Sequence, residues 1–124
     1  MAGLTQALQQ SVLDSSTLFP TSAATDHIAY SANGTTETGS LARTAIGATG
    51  WAAATAATPS VKANNALLTS AAASAPVVVT HFAIYSASSS GTQKTDWTAL
   101  SSSRSLSTSD QLTWAIGALT VTLD

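Results

Sequence analysis

The chain has no cysteine in its 124 residues, which excludes disulfide staples and thiolate-bound metal. Charge is nearly as scarce: Asp, Glu, Lys and Arg make up 8% of the sequence, with a net charge of -2, against about 25% charged residues in an ordinary soluble domain. Binding to nucleic acid through phosphate neutralisation needs clustered Lys and Arg. Arg43, Lys62, Lys94 and Arg104 stand singly, so neither nucleic acid nor a membrane surface is expected as a partner. Long apolar runs are missing as well. The longest candidate, residues 71 to 87, is interrupted by Pro76, Thr80 and His81 and falls short of the roughly 18 apolar residues of a spanning helix. Met1-Ala2-Gly3 opens no basic-then-apolar leader, so a soluble chain without a secretory signal is expected.

What remains is dominated by small residues. Roughly half the chain is Ala, Ser or Thr, a composition that buries little surface and is shared with many disordered segments. Yet three Trp, two Tyr and two Phe are present, and hydrophobic residues make up 44% of the sequence, most of them in patterned runs. The expectation is one folded domain with a thin core. Such a domain gains stability from neighbours, which points to a component of an assembly.

The pattern changes once along the chain. Between Leu4 and Leu18 the residues Leu4, Ala7, Leu8, Ser11, Val12 and Ser15 recur at helical spacing on one apolar-to-small face, and the helix should stop before Pro20. From Asp26 the period becomes two. Ile28 and Tyr30 alternate with small residues, and Asn33-Gly34 predicts a type I′ turn. Strands are expected over Leu41 to Ala48, Trp51 to Ala57, Val61 to Leu68 and Val77 to Ser86, then around Trp97 and Leu100, from Leu106, from Gln111 to Ile116 and from Leu119 to the end. The run Val77 to Ser86 is apolar on both faces and should be buried on both. Val79, Phe82, Ile84, Trp114, Leu119 and Val121 are the expected core. The fold class that follows is mainly β: an antiparallel β-sandwich or barrel-like domain of about seven or eight short strands, preceded by one N-terminal α-helix. Residues 1–25 form the helix and linker, read as an attachment or oligomerisation arm, and 26–124 the β domain.

The chemical inventory is short. A Ser-His-Asp set can be drawn on paper from His27 or His81 with Asp26, Asp96 or Asp110, but no serine sits in a nucleophile-elbow frame, and so no catalytic residue is assigned. His27 and His81 lack the spacing of a metal pair, and no metal or other cofactor is expected. Asn33-Gly34-Thr35 fits a glycosylation acceptor, though a turn explains it more simply. Arg43 reads either as a solvated edge residue or as a bidentate clamp on a carboxylate, with Glu37 nearby. Trp51 and Trp97 could stack on sugar faces, but in so thin a core burial is the weightier reading.

Several stretches together resemble a known group of proteins. They are His27 to Ser31, Gly39 to Ile46 with Trp51 following, Val79 to Ala87, and Ser107 to Trp114 with Gly117 to Leu123. In order and spacing they are similar to the small β-rich accessory virion proteins of tailed bacteriophages, variously minor tail, tail-fibre-like or capsid-decorating proteins. Departures fall in loops, at Ser31 to Gly34, Tyr85-Ser86 and Ser109-Asp110. The resemblance implies a non-enzymatic virion component, made in the bacterial cytoplasm and assembled without a cofactor. The expected partners are the phage major capsid protein or tail proteins, together with further copies of the chain. The shell is slightly preferred, because many weak copies on a lattice gain by multivalency. The alternative is a carbohydrate-binding or host-recognition module with Trp51, Trp97 and Tyr85 as stacking candidates. Candidate partner-binding residues are Leu4, Leu8, Val12, Trp51, Trp97 and Arg43.

Overall fold

The structure, a computed structural model, describes residues 4–15, 18–22, 24–57 and 59–123. Among these the chain forms one helix, α1 (Gln6–Leu13), followed by eight strands: β1 (Ala24–Ser31), β2 (Thr44–Gly47), β3 (Ser60–Ala63), β4 (Leu68–Thr69), β5 (Val77–Tyr85), β6 (Thr98–Leu106), β7 (Thr113–Trp114) and β8 (Thr120–Leu123). The class is mainly β, as the alternation predicts. No described helix is long and apolar enough to cross a membrane.

By contact the chain separates into two compact units that interleave in sequence. One gathers the described parts of Met1–Ala24, Ile46–Leu67 and Trp114–Asp124; the other consists of Thr25–Ala45 and Leu68–Thr113.

In the first unit α1 is capped by the Thr5 hydroxyl, which accepts from the Leu8 N–H. The helix is shorter than predicted, and the side that packs on the chain is not its Leu4–Leu8 face. Leu4 and Leu8 are exposed, while Gln9 and Leu13 are buried. The reason is polar: the Gln9 amide donates to the Leu4 carbonyl and accepts from the Ser60 N–H, so burying Gln9 satisfies two backbone groups at once. The C-cap Asp14 accepts from the Ala54 N–H and forms an ion pair with the fully buried Lys62 of β3. Residues 16, 17 and 23, in the predicted helix end and linker, lie outside the described residues. β3 pairs antiparallel with β8, Lys62 opposite Val121. The predicted strand from Trp51 to Ala57 is reduced to one bridge, Trp51 with Asn64, because its alanine-rich remainder offers no alternating pattern for a ladder to bury.

The second unit holds the longer strands. The four-stranded sheet has the order β2-β1-β5-β6; β5 and β6 and all of β1 from Thr25 belong to this unit, and β2 only through Thr44 and Ala45. β1 and β5 run antiparallel with Ile28 opposite Ile84 and Tyr30 opposite Phe82. Ile28, Ala29, Tyr30 and Ser31 are buried consecutively, as are Phe82, Ala83 and Ile84. Over these residues the strands are covered on both faces, and both are interior in the sheet order; the prediction that the whole run Val77 to Ser86 is buried on both faces fails at its start, where Val78 is exposed. β6 is an edge strand and mostly exposed. Its Ser101-Ser102-Ser103-Arg104-Ser105 run is polar, which suits an edge that must not template further pairing. Leu106 ends β6 instead of starting a strand of its own.

The Asn33-Gly34 turn departs from type I′, since Gly34 has a positive φ and Asn33 does not. Side chains shape it instead. Ser31 Oγ accepts from the N–H groups of Asn33 and Gly34, and Asn33 Oδ1 from those of Thr35 and Thr36. Each hydroxyl or amide offers a local alternative to a hairpin ladder. β1 pairs with the distant β5 on one side and, in the sheet order, with β2, the next strand after this turn, on the other, while the Thr38 N–H donates to the Tyr30 carbonyl.

Candidate functional site

Arg43 organises a polar cluster in the second unit that joins segments far apart in sequence. It precedes β2, and its guanidinium lies 4.0 Å from the Tyr85 ring centroid. Nε and Nη2 donate to the two Glu37 carboxylate oxygens at 2.8 and 2.7 Å, a bidentate pair. Nη1 donates to the carbonyls of Ala87 and Ser90 at 2.9 and 2.8 Å. One side chain thus ties the 32–41 segment to the loop that follows β5. Of the two readings of Arg43, the clamp is the one realised. Its side chain is 6% exposed and that of Glu37 32%. The hydrogen bond to Glu37 raises the Arg43 pKa above its already high ordinary value, against the opposing effect of burial.

The clamped loop is conformationally demanding. Ser90 has φ +53°, and the next residue, Gly91, has φ +76°. A left-handed serine costs about 1 kcal/mol, and a Cβ on Gly91 would come within 2.8 Å of Ser86 Oγ. Ser86 Oγ in turn accepts from the Thr92 N–H. Between the clamp and this loop lies an open pocket of about 340 Å³, lined by Glu37, Thr38, Gly39, Leu41, Ala42, Arg43 and Ser88 to Ser90.

The other candidates scatter. Trp97 is half-buried and tilts against Tyr85, with ring centroids 6.2 Å apart, so it shares a neighbour with Arg43. Trp51, in the first unit, is wholly buried and meets Phe19 edge-on at 5.2 Å. It supplies core and has no surface for stacking on a sugar. Leu4 and Leu8 are exposed on the helix, and Val12 is half-buried. His27 Nδ1 bonds the Thr25 carbonyl and His81 Nδ1 the Thr80 hydroxyl. Among the described residues no group of His, Asp and Glu is placed to hold a metal ion.

The Ser88 to Ser90 wall and the carbonyls gripped by Arg43 were not legible in the sequence. A serine run signals only a loop, and the nearest hint was the six-residue spacing of Glu37 and Arg43.

No curated protein matches the chain. Residues 10–122 match a family model described as Podophage GP4 fiber I protein gp80. That match covers 113 of the 124 positions. It corrects the preference for the capsid shell, because the matched family is one of fibre proteins and nothing in it supports capsid decoration. The chain belongs to the podophage GP4 fiber I protein family, as a non-enzymatic structural component of the phage virion's fibre.

Proposed function

We propose that this protein is a module of the tail fibre that contributes to recognition of the host surface and associates with other tail or fibre proteins. The observation that carries this reading is the solvent-open pocket whose walls Arg43 ties together, on a chain of a fibre family. A fibre that contacts a cell needs a surface shaped before contact, since ordering loops on binding costs affinity. Arg43 meets that need by holding two loops with one buried guanidinium.

Attachment uses a different surface. Leu4 and Leu8 face outward at 38% and 47% exposure, on a helix whose other side is already packed, and they offer an apolar stripe to a sister copy or a fibre neighbour. In this reading residues 1–25 act as the attachment arm, with Val12 at the margin of the contact.

Purified full-length protein should compete with intact phage for adsorption to host cells. Undiminished adsorption at saturating protein would overturn the host-contact role. For attachment, Leu4→Ser with Leu8→Ser should deplete the protein from virions, counted by quantitative mass spectrometry, while its thermal midpoint stays unchanged. Normal incorporation of this variant would place the contact elsewhere.

A further inference from the structure

We propose that the pocket between Glu37, Arg43 and Ser88 to Ser90 binds a neutral, polyhydroxylated ligand, a saccharide unit. The proposal rests on the host-contact reading and gives it a site and a ligand class. Three observations converge on it.

The first is charge. Glu37 and Arg43 neutralise one another through two hydrogen bonds, so the pocket presents no net charge and gives an anionic ligand no counter-ion. The second is unspent hydrogen-bonding capacity. The clamp uses four of the five guanidinium N–H groups, leaving one N–H on Nη2. Each Glu37 oxygen accepts one bond from Arg43 and retains a further lone pair, on a side chain 32% exposed. The hydroxyls of Ser88, Ser89 and Ser90 have no partner among the described residues. A carboxylate with open lone pairs beside serine hydroxyls and a spare N–H matches adjacent sugar hydroxyls, each of which both donates and accepts. The third is preorganisation. The walls are set before any ligand arrives, by the Arg43 bonds to Ala87 and Ser90 and by the left-handed Ser90-Gly91 pair. Strained backbone kept in place by specific bonds is a feature of binding sites. The volume of about 340 Å³ lies within the range of small-ligand sites.

The aromatic residues expected to stack on a sugar are not in this lining. Arg43 occupies one face of Tyr85, so the ligand is held by polar groups, with Gly39 and Ala42 as its apolar floor.

The test is a two-dimensional amide NMR titration of the full chain. The probes are the methyl glycosides of glucose, galactose, mannose and rhamnose, with N-acetylneuraminic acid and inorganic phosphate as anionic comparisons. At least one neutral glycoside should shift the amides of Gly39, Ala42 and Ser88 to Ser90, with millimolar affinity and without comparable shifts from the anions. Ala42→Leu fills the pocket and should weaken this response about tenfold or more, leaving amides elsewhere in place. Ser89→Ala should weaken it less and guards against misfolding of the first variant. The site is overturned by no shift with any neutral glycoside, by shifts clustered away from the pocket, by preference for an anion, or by unchanged binding in folded Ala42→Leu. Incorporation of Ala42→Leu into virions, and competition of wild-type protein for adsorption, report on the fibre and host-contact readings separately. Normal incorporation and competition with a silent titration would sink the saccharide site alone.

Discussion

The two compact units of this chain are stabilised in different ways. In the unit built on β1, β5 and β6, consecutive residues of two interior strands are buried: Ile28 to Ser31 and Phe82 to Ile84. Their backbone groups are spent on neighbouring strands, and apolar area removed from water supplies the stability. The unit containing α1, β3 and β8 has short strands and relies on side chains that bond to backbone. Asn64 is its clearest case. The amide donates to the carbonyls of Ala66 and Ala115 and accepts from the Leu119 N–H, while its main chain bonds Leu119 and Gly117. Gln9 and Asp14 do the same for the helix. A chain poor in large side chains can therefore fold by two routes: concentrate what apolar residues it has in one sheet, or let buried amides and the ion pair of a buried lysine with a half-exposed carboxylate replace missing ladder bonds.

Four substitutions or conditions sharpen or break this contrast. The largest effect should come from the sheet. Phe82→Ala removes a side chain 8% exposed and should destabilise by about 3 to 5 kcal/mol, read from the urea midpoint. A cost below about 1 kcal/mol would mean that apolar burial does not dominate there.

Asn64→Ala tests the other unit. It orphans the buried Leu119 N–H and two carbonyls, and should cost about 1 to 3 kcal/mol for the orphaned donor. Asn64→Asp should recover only the part owed to the accepting oxygen. If Asn64→Ala behaved like a surface change in chemical denaturation, the side-chain staples would not be what holds this unit.

Acid should act through the Asp14–Lys62 pair. Burial by itself would raise the Asp14 pKa, but the hydrogen bond from Lys62, the Ala54 N–H and the lysine charge outweigh it, and the carboxyl lies below its ordinary 3.8. A carboxyl depressed in the folded state adds stability that is full above its ordinary value and is lost as pH falls through the folded value. The thermal midpoint of the wild type should therefore fall below about pH 4 more steeply than that of Asp14→Asn. Because the Asp14 side chain is 37% exposed, salt should blunt the difference. Parallel acid profiles for the two proteins would remove the pair from the account.

The smallest effect belongs to the loop serines. Ser88→Ala or Ser89→Ala should change stability by less than about 0.5 kcal/mol, since both are exposed and hold nothing in place. A larger loss in the thermal midpoint would make this wall part of the fold's support and not a surface kept open for a ligand.

Much of the sheet was readable beforehand, because period-two alternation of β-branched and aromatic residues has a strong local cause. β5 and the core residues Val79, Phe82, Ile84, Trp114 and Leu119 lie where the alternation put them, whereas Val121, also expected in the core, is only half-buried near the end of a short strand. The helix was readable in position, but the side that packs on the chain was not: periodicity ranks Leu4 and Leu8 above Gln9 and cannot register that Gln9 meets the Ser60 N–H, 51 residues away.

By itself, then, the sequence determined the mainly β class, the N-terminal helix, the positions of the central strands and a chemistry without catalytic or thiol groups. Each of these depends on composition or on neighbours within a few residues. The tertiary structure decided where the few charges go. Arg43, Lys62, Lys94 and Arg104 read as single scattered cations, yet three of the four pair with carboxylates: Glu37, six residues away, Asp14, 48 away, and Asp26, 68 away. Only the shortest of these separations left a trace in the sequence. A buried charge must find its opposite, but chain folding chooses which one, and that choice set the Arg43 clamp and the pocket beside it.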